Sequence, residues 1–408
     1  MPKFYRPGGF HPVHIGDAFK DGRYIIVHSL GSGTYGSVWL ANDSSTKTYV
    51  ALKILAADAA QRSGNIHSVD EELEILSQLR DSANETGSDA VMRLFDHFLH
   101  TGPNGTHQCI VTELLGPTID SAEEEGYFQG LTWSVRRTII MQIVYAIRFL
   151  HGNNIAHGDL HLKNILFNYP KLSSMSTGDI TRYFGEVETA DLKYPDNIGR
   201  DEAPPHAPLY YIGMPDPEPL LRLCLNDPTG VRIKICDFSE SSIVTEEIQP
   251  KRANVPAIYR APEVLLRRLS TPAFAADIWA LAVLFYFIAS GGQCLFLAQS
   301  PFRGAFTDEL LKEIVLCMGK LPEPLWSEWE ARAQYFNEDG ILDGQEAGTQ
   351  PLFQCRLLIT DDEEFMLFEQ VLTSMLILEP TMRATIDDVI NSTWFVRYCV
   401  EPPAAALS

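Results

Sequence analysis

The residues of this chain that could do chemistry fall into five short clusters. Their order carries more information than any one of them. Gly31-Ser32-Gly33-Thr34-Tyr35-Gly36-Ser37-Val38 is glycine-rich, and the apolar run Val50-Ala51-Leu52-Lys53 follows it. His157-Gly158-Asp159-Leu160-His161-Leu162-Lys163-Asn164, then Asp237-Phe238-Ser239, then Ala261-Pro262-Glu263 come later in the chain. Glycine lets backbone lie against a polyphosphate where a side chain would clash. Lys53 offers a cation to phosphate oxygens, and the hard oxygens of Asn164 and Asp237 suit magnesium. Asp159 is a base that could orient an attacking hydroxyl. Together these are the parts of phosphoryl transfer from a nucleotide, where catalysis is positioning and charge neutralisation.

A lone G-x-G-x-x-G is weak, but five clusters in this order specify a protein-kinase fold that binds ATP. Val38 is expected over the adenine. Lys53 needs a carboxylate to hold it, and the following helix offers Glu71, Glu72 and Glu74. Glu72 stands three and four residues before Ile75 and Leu76, as the kinase pattern requires, so it is the expected partner, with Glu71 and Glu74 on a solvated face. A zinc reading of His157, Asp159 and His161 lacks a third strong ligand at suitable spacing. His157 is expected as a hydrogen-bonded scaffold residue. Glu263 and Arg383 are expected to form a buried bidentate pair, and Asp277 to tie the catalytic-loop backbone to a helix.

The elements that must position these groups follow from periodicity. Tyr24–Leu30, Ser37–Ala41, Thr48–Leu55, Val91–Phe98 and Cys109–Leu115 read as strands. Val69, Leu73, Leu76 and Leu79 recur at helical spacing. From Thr132 the period becomes helical, through Val135, Ile139, Ile143, Ala146 and Ile147, and again over 276–289 and 365–378. The fold class is therefore α+β and two-lobed, with a five-stranded lobe over 1–115, a mainly α-helical lobe over 116–400 and a short tail at 401–408. Residues 168–230 hold nine of the chain's 25 prolines. They are expected as an insert within the C-terminal lobe that packs on the lobe.

Composition bounds the rest. A chain of 408 residues, 45% hydrophobic and 21% charged, is ordinary for a soluble globular protein. No run approaches the length that crosses a bilayer, and Ile278–Ala289 reads as a buried helix. Seven cysteines, an odd number without C-x-x-C, predict reduced thiols in a reducing compartment, cytoplasm or nucleus. The net charge of −21 argues against binding nucleic acid or an anionic membrane and favours basic partners; as solvated surface it also serves solubility. Nothing marks a partner subunit, so a monomer is expected.

Further segments carry a resemblance. Pro7-Gly8-Gly9-Phe10-His11-Pro12-Val13, Ile15-Gly16-Asp17, Gly22-Arg23-Tyr24, Val38-Trp39-Leu40-Ala41, Glu113-Leu114-Leu115-Gly116 and Tyr259-Arg260-Ala261-Pro262-Glu263 resemble the SR-protein kinases, in a divergent fungal-type branch of the eukaryotic protein kinases. The insert at 168–230 and the segment from Leu321-Pro-Glu-Pro-Leu-Trp326 to Gly340 resemble that family's inserts. The resemblance implies ATP and magnesium as cofactors. It implies Asp159, Lys53 and His161 as catalytic residues, with Asn164 and Asp237 on the metal. The implied ATP-binding set is Gly31, Ser32, Gly33, Thr34, Tyr35, Gly36, Val38, Ala51, Lys53, Glu72, Thr112, Glu113 and Leu115. Implied substrates are basic proteins rich in Arg-Ser repeats, such as splicing factors, held by an acidic groove for which carboxylates at 361–364 and Glu323–Glu330 are candidates.

Departures from the pattern matter as much. Gly158 stands where many kinases carry an arginine that pairs with a phosphorylated activation loop, which predicts activity without that phosphorylation. Ser239 replaces the glycine after Asp-Phe. His161 replaces the lysine that serine/threonine kinases set against the transferring phosphate, and predicts lower turnover. Pro256 replaces a threonine and, with Lys163, is similar to tyrosine kinases. Three alternatives therefore stand beside a serine/threonine kinase: a pseudokinase scaffold, a tyrosine-directed kinase and a small-molecule phosphotransferase. The last lacks an Ala-Pro-Glu segment paired with a distant arginine. A pseudokinase typically loses Lys53, Asp159 or Asp237, all present here.

Overall fold

The computed structural model describes residues 4–59, 68–82, 84–191, 206–245, 256–266, 273–296, 298, 303–342 and 358–400. The expected tail at 401–408 and the middle of the segment between Asp237 and Glu263 lie outside them. The chain folds into two compact units. One comprises Met1–Asn84, Val91–Ser121 and Leu166–Ser239; the other comprises Glu85–Ala90, Ala122–Ile165 and Glu240–Ser408.

The first unit is built on an antiparallel sheet. Its strands are β1 (Ala18–Phe19), β2 (Tyr24–Ser32), β3 (Gly36–Asp43), β4 (Thr48–Leu55), β5 (Leu94–Gly102) and β6 (Gly105–Glu113), in the spatial order β1-β2-β3-β4-β6-β5. Five strands were expected; the sixth is β1, whose two residues pair with Tyr24 and Ile25 and are too few to show alternation. The β5–β6 hairpin is also displaced from its predicted bounds. Val91 forms a parallel bridge to Ile235 instead, and the ladder runs on through His97, His100 and Thr101, beyond the apolar positions that marked the strand.

Register decides which side chains share a face, because paired residues in a ladder point the same way and neighbours point oppositely. Val38, Lys53 and Ile110 form one row; Leu40, Ala51 and Thr112 form the next. These six residues make the functional face. Trp39, Ala41, Val50, Leu52, Ile54, Cys109 and Val111 turn to the opposite face and pack with Val13, Phe19, Tyr24 and Ile26. Helix α1 (Ser68–Asp81) buries Ile75, Leu76 and Leu79.

The insert belongs to this unit, not to the helical lobe where its place in the sequence put it. Ile212 is buried in the core of the outer sheet face, with Val187 and Tyr210 against it. Tyr210 Oη accepts from Ile15 N at 3.2 Å, and Tyr49 Oη donates to Thr177 Oγ1 at 3.2 Å. The physical reason is that the outer face is as apolar as the inner one and must be covered. The insert is ordered by its own signals too. A capping box of Ser176 and Asp179 starts the helix Thr177–Phe184.

The second unit is mainly helical. Trp133–Gly152 starts at Thr132, whose side chain accepts from Val135 N. Asp362–Met375 lies close to the predicted 365–378. The helix Ala273–Ser290 corrects one expectation: at 18 residues and mean hydropathy 1.9 it is long and apolar enough to cross a membrane. Its apolar stretch is 83% buried within the protein, and every residue from Asp277 to Ser290 is buried. It is a core helix.

Candidate active site

The first unit gathers three of the expected groups around Lys53. Its Nζ donates to Glu72 Oε1 at 2.7 Å and to Asp237 Oδ1 at 3.2 Å. Glu72 is 3% exposed at its side chain, so its carboxylate has left water only because Lys53 meets it. Burial alone would lower the Lys53 pKa; the charges of Asp237 and Glu72 outweigh it and hold the amine above the ordinary lysine value. Burial would likewise raise Asp237, but Lys53 and the Ser239 hydroxyl hold it down to about 2. Both groups are therefore ionised across the neutral range. Asp237 adopts φ 62°, a left-handed conformation that aspartate tolerates better than most residues, and Ser239 N closes a local turn onto its carboxylate.

The glycine-rich turn fits a phosphate chain. A Cβ on Gly36 would stand 2.4 Å from the Ile54 carbonyl oxygen, so that glycine is required by the fold. A Cβ on Gly33 would meet nothing within 4 Å, so the protein itself does not demand glycine there. Open space kept clear at that position suits a ligand that approaches the backbone. Val38, Ala51 and Thr112 share the face of Lys53, as the adenine side requires. Ser32, Thr34 and Tyr35 lie in the turn at the end of β2. Glu113 and Leu115 follow at the end of β6.

The second unit gathers the other set. Asn164 Nδ2 donates to the Asp159 carbonyl at 2.9 Å and to Asp159 Oδ2 at 3.1 Å. His161 Nδ1 accepts from Lys163 N at 3.2 Å, which turns Nε2 towards Asp159. That Nε2 lies 3.3 Å from Asp159 Oδ1. The contact is close but not aligned as a hydrogen bond, and Oδ1 is buried with no hydrogen-bond partner among the described residues. A buried carboxylate oxygen without a donor is rare and costly.

The loop carrying these groups is fixed from below. Asp277 accepts from His157 N at 2.8 Å and Gly158 N at 2.9 Å, and its Oδ2 lies 3.0 Å from His151 Nε2. Burial would raise the Asp277 pKa, but these hydrogen bonds and the neighbouring histidines keep it below the usual carboxylate value. Glu263 and Arg383 meet at 2.8 and 3.3 Å, and Arg383 also donates to the carbonyls of Ala275 and Ile377.

Two features were not read from the sequence. Glu113 uses its side chain structurally, accepting from Arg93 N and Lys234 Nζ, each at 2.8 Å. The signal was a lysine, Lys234, inside an apolar strand, which demands a carboxylate once buried. The acidic cluster at 361–364 is also largely spent: Glu364 is buried with Trp133 Nε1 and Arg137, Glu363 pairs with Arg397, and Asp361 caps its helix. Among the described residues no group of three His, Cys, Asp or Glu side chains has metal-binding geometry.

The family model for the protein kinase domain matches residues 24–176 and 223–395, leaving out the middle of the insert. The chain is similar to the Physarum polycephalum serine/threonine-protein kinase SRPK, 26% identical over 405 residues, covering 95% of this chain and 89% of that protein. It is 32% identical over 194 residues to serine/threonine-protein kinase SKY1 of Saccharomyces cerevisiae, covering 46% of this chain. It is 35% identical over 167 residues to human SRSF protein kinase 3, covering 40% of this chain. The matches span only 24% and 29% of those last two relatives.

Proposed function

Because the chain belongs to the protein kinase family, with SR-protein kinases as its relatives, we propose that it transfers the γ-phosphate of ATP to serine or threonine in basic, Arg/Ser-rich proteins such as splicing factors. One observation carries the catalytic half of this reading: Lys53 is gripped by both Glu72 and Asp237. A scaffold that had lost catalysis would have no reason to keep two carboxylates on one buried lysine.

The roles follow from the atoms. Lys53 neutralises the α and β phosphates, and the glycine-rich turn with Val38, Ala51, Thr112, Glu113 and Leu115 seats the nucleotide. Asn164 spends its Nδ2 on Asp159, so its amide oxygen is the atom left for a cation, and Asp237 offers a carboxylate oxygen. Magnesium, when bound, supplies the remaining charge neutralisation at the phosphates. Asp159 Oδ1 accepts the hydrogen bond of the substrate hydroxyl and orients it for in-line attack. His161 presents its ring Nε2 where a lysine would present an ammonium, which sets a modest turnover.

Substrate choice rests on less. The −21 charge would attract an arginine-rich segment. With 361–364 largely committed to internal contacts, carboxylates around Glu323–Glu330 are the better candidates to receive it. The six described cysteines are free thiols, which suits the cytoplasm or nucleus. We expect a monomer.

Labelled ATP and magnesium, offered with an Arg-Ser repeat peptide and a tyrosine-rich control, test the reading. Serine labelling that disappears in Asp159→Asn is the expected result. Labelling of tyrosine alone would move the enzyme to another acceptor class. ATP binding without transfer to either peptide would return the scaffold reading.

A further inference from the structure

The insert presents a stripe of alternate residues to the nucleotide-binding sheet. Its hairpin pairs Tyr210 with Asp191, Tyr211 with Ala190 and Ile212 with Thr189, and Gly213 N continues the ladder to Glu188 O at 2.9 Å. In such a strand residues two apart point the same way, so Tyr210, Ile212 and Met214 fall on one side. Each meets the sheet unit at a different level. Tyr210 holds Ile15 N through its hydroxyl, and beside it Leu209 N donates to His14 Nε2 at 2.9 Å. Ile212 is buried in the outer-face core. Met214 reaches the root of the glycine-rich turn: its sulfur lies 3.7 Å from Ser29 Oγ, and its methyl lies 3.8 Å from where a Gly31 Cβ would stand.

We propose that Met214 is a positioning residue for the glycine-rich turn, held in place by the insert and propping the root of the turn between Ser29 and Gly31. The inference rests on the nucleotide-binding reading above only for its effect on ligand affinity. Gly31 and Ser32 close β2, and glycine there gives the turn no side chain of its own to pack. The ladder to β3 is irregular between Ser29 and Gly31, so strand pairing restrains this spot less than its neighbours. Restraint must therefore come from a neighbour, and Met214 is the insert's contact at that spot. A thioether suits the task, since it fills an irregular gap without demanding a partner. Anchorage two residues earlier, at buried Ile212, fixes where the methionine can reach. The turn's freedom is thereby set by a segment anchored on the opposite side of the sheet from Lys53.

The test uses the full chain and two variants, Met214→Ala and Met214→Leu. Met214 is 55% exposed, so its loss should leave the melting temperature within about 2 °C of the parent. Amide exchange over residues 29–36 in the nucleotide-free protein should quicken about fivefold in Met214→Ala, with residues 105–113 unchanged. The dissociation constant for ADP with magnesium should rise about threefold, and Met214→Leu should restore both readings. Unchanged exchange over 29–36 in Met214→Ala overturns the inference, whatever the affinity does. If exchange quickens but the parent binds neither ADP nor ATP, the prop stands and the nucleotide reading falls.

Discussion

Gly158 gives the sharpest test of how this catalytic loop is built. Its φ is +74°, and a Cβ placed on it would stand 2.5 Å from the Glu240 carbonyl oxygen and 3.3 Å from that carbonyl carbon. Its N–H is one of the two backbone donors to Asp277. An alanine here would cost about 1–2 kcal/mol for the left-handed conformation alone. The overlap is with backbone, which cannot swing aside, so relief must come from moving the loop and weakening the Gly158–Asp277 bond. A hydrogen bond to a buried carboxylate is worth about 1.5–3 kcal/mol. Gly158→Ala should therefore cost about 2.5–5 kcal/mol in all, a fall in melting temperature of roughly 3–6 °C for a chain of this length. Differential scanning fluorimetry reads the stability, and phosphate transfer at a temperature where the variant is folded reads the displacement of Asp159. A variant that melts within about 1 °C of the parent and keeps its kcat would refute the reasoning. The same geometry leaves no room for arginine at 158.

Three further outcomes are expected. Arg383→Ala should cost about 3–5 kcal/mol, because Glu263 is 2% exposed and would be left as an unpaired buried carboxylate; thermal melts of that variant beside a Glu263→Gln, Arg383→Leu double variant check it, the double being the milder. His161→Lys should raise kcat about tenfold by restoring a full charge near the transferring phosphate, with the ATP KM little changed, and steady-state kinetics on one peptide would show it. His11 predicts a pH dependence. Burial, then His100 and His107, push its pKa down to about 3. The unfolded chain takes up that proton near pH 6.5 while the folded chain does not. Stability is therefore fully present above about pH 6.5 and is lost as pH falls towards 3, by about 1.4 kcal/mol per unit. His11→Phe should flatten the slope of denaturation midpoint against pH between about 6.5 and 4; an unaltered slope counts against the assignment.

How much of this was legible in the sequence depended on whether chemistry or packing set the residue. Phosphoryl transfer needs particular groups at particular separations, so Lys53, Asp159, Asn164 and Asp237 stand out by type and order. Glu72 was chosen over Glu71 and Glu74 because it stands ahead of Ile75 and Leu76 where the kinase pattern puts the lysine's carboxylate, and the 2.7 Å bond to Lys53 agrees. Asp277 was readable as a buried acid heading an apolar helix, with nothing nearby in sequence to satisfy it. The insert's destination was not. Tyr210 and Ile15 are 195 residues apart, and a short run of alternating apolar residues says that one side will be buried without saying against what. Sequence position beside the catalytic loop suggested the helical lobe. The deciding fact was a second apolar sheet face, which appears only once β2, β3, β4 and β6 are set in register.

Packing likewise decides what the departures at 158 and 161 mean. Both lie in the loop around Asp159, where the structure spends a positive φ, a backbone close approach and an unsatisfied carboxylate oxygen. Such costs persist only where surrounding structure over-determines them. Asp277 supplies that determination from below, accepting from His157 N and Gly158 N and meeting His151 at the end of the preceding helix. The loop is thus held from below by contacts that involve no side chain at 158. His161 can then be tolerated in place of lysine, because Asp159 is already positioned and the imidazole has only to stand beside it. The tenfold gain expected from His161→Lys measures what the chain forgoes there. Loss of folding in Gly158→Arg would measure what it cannot forgo.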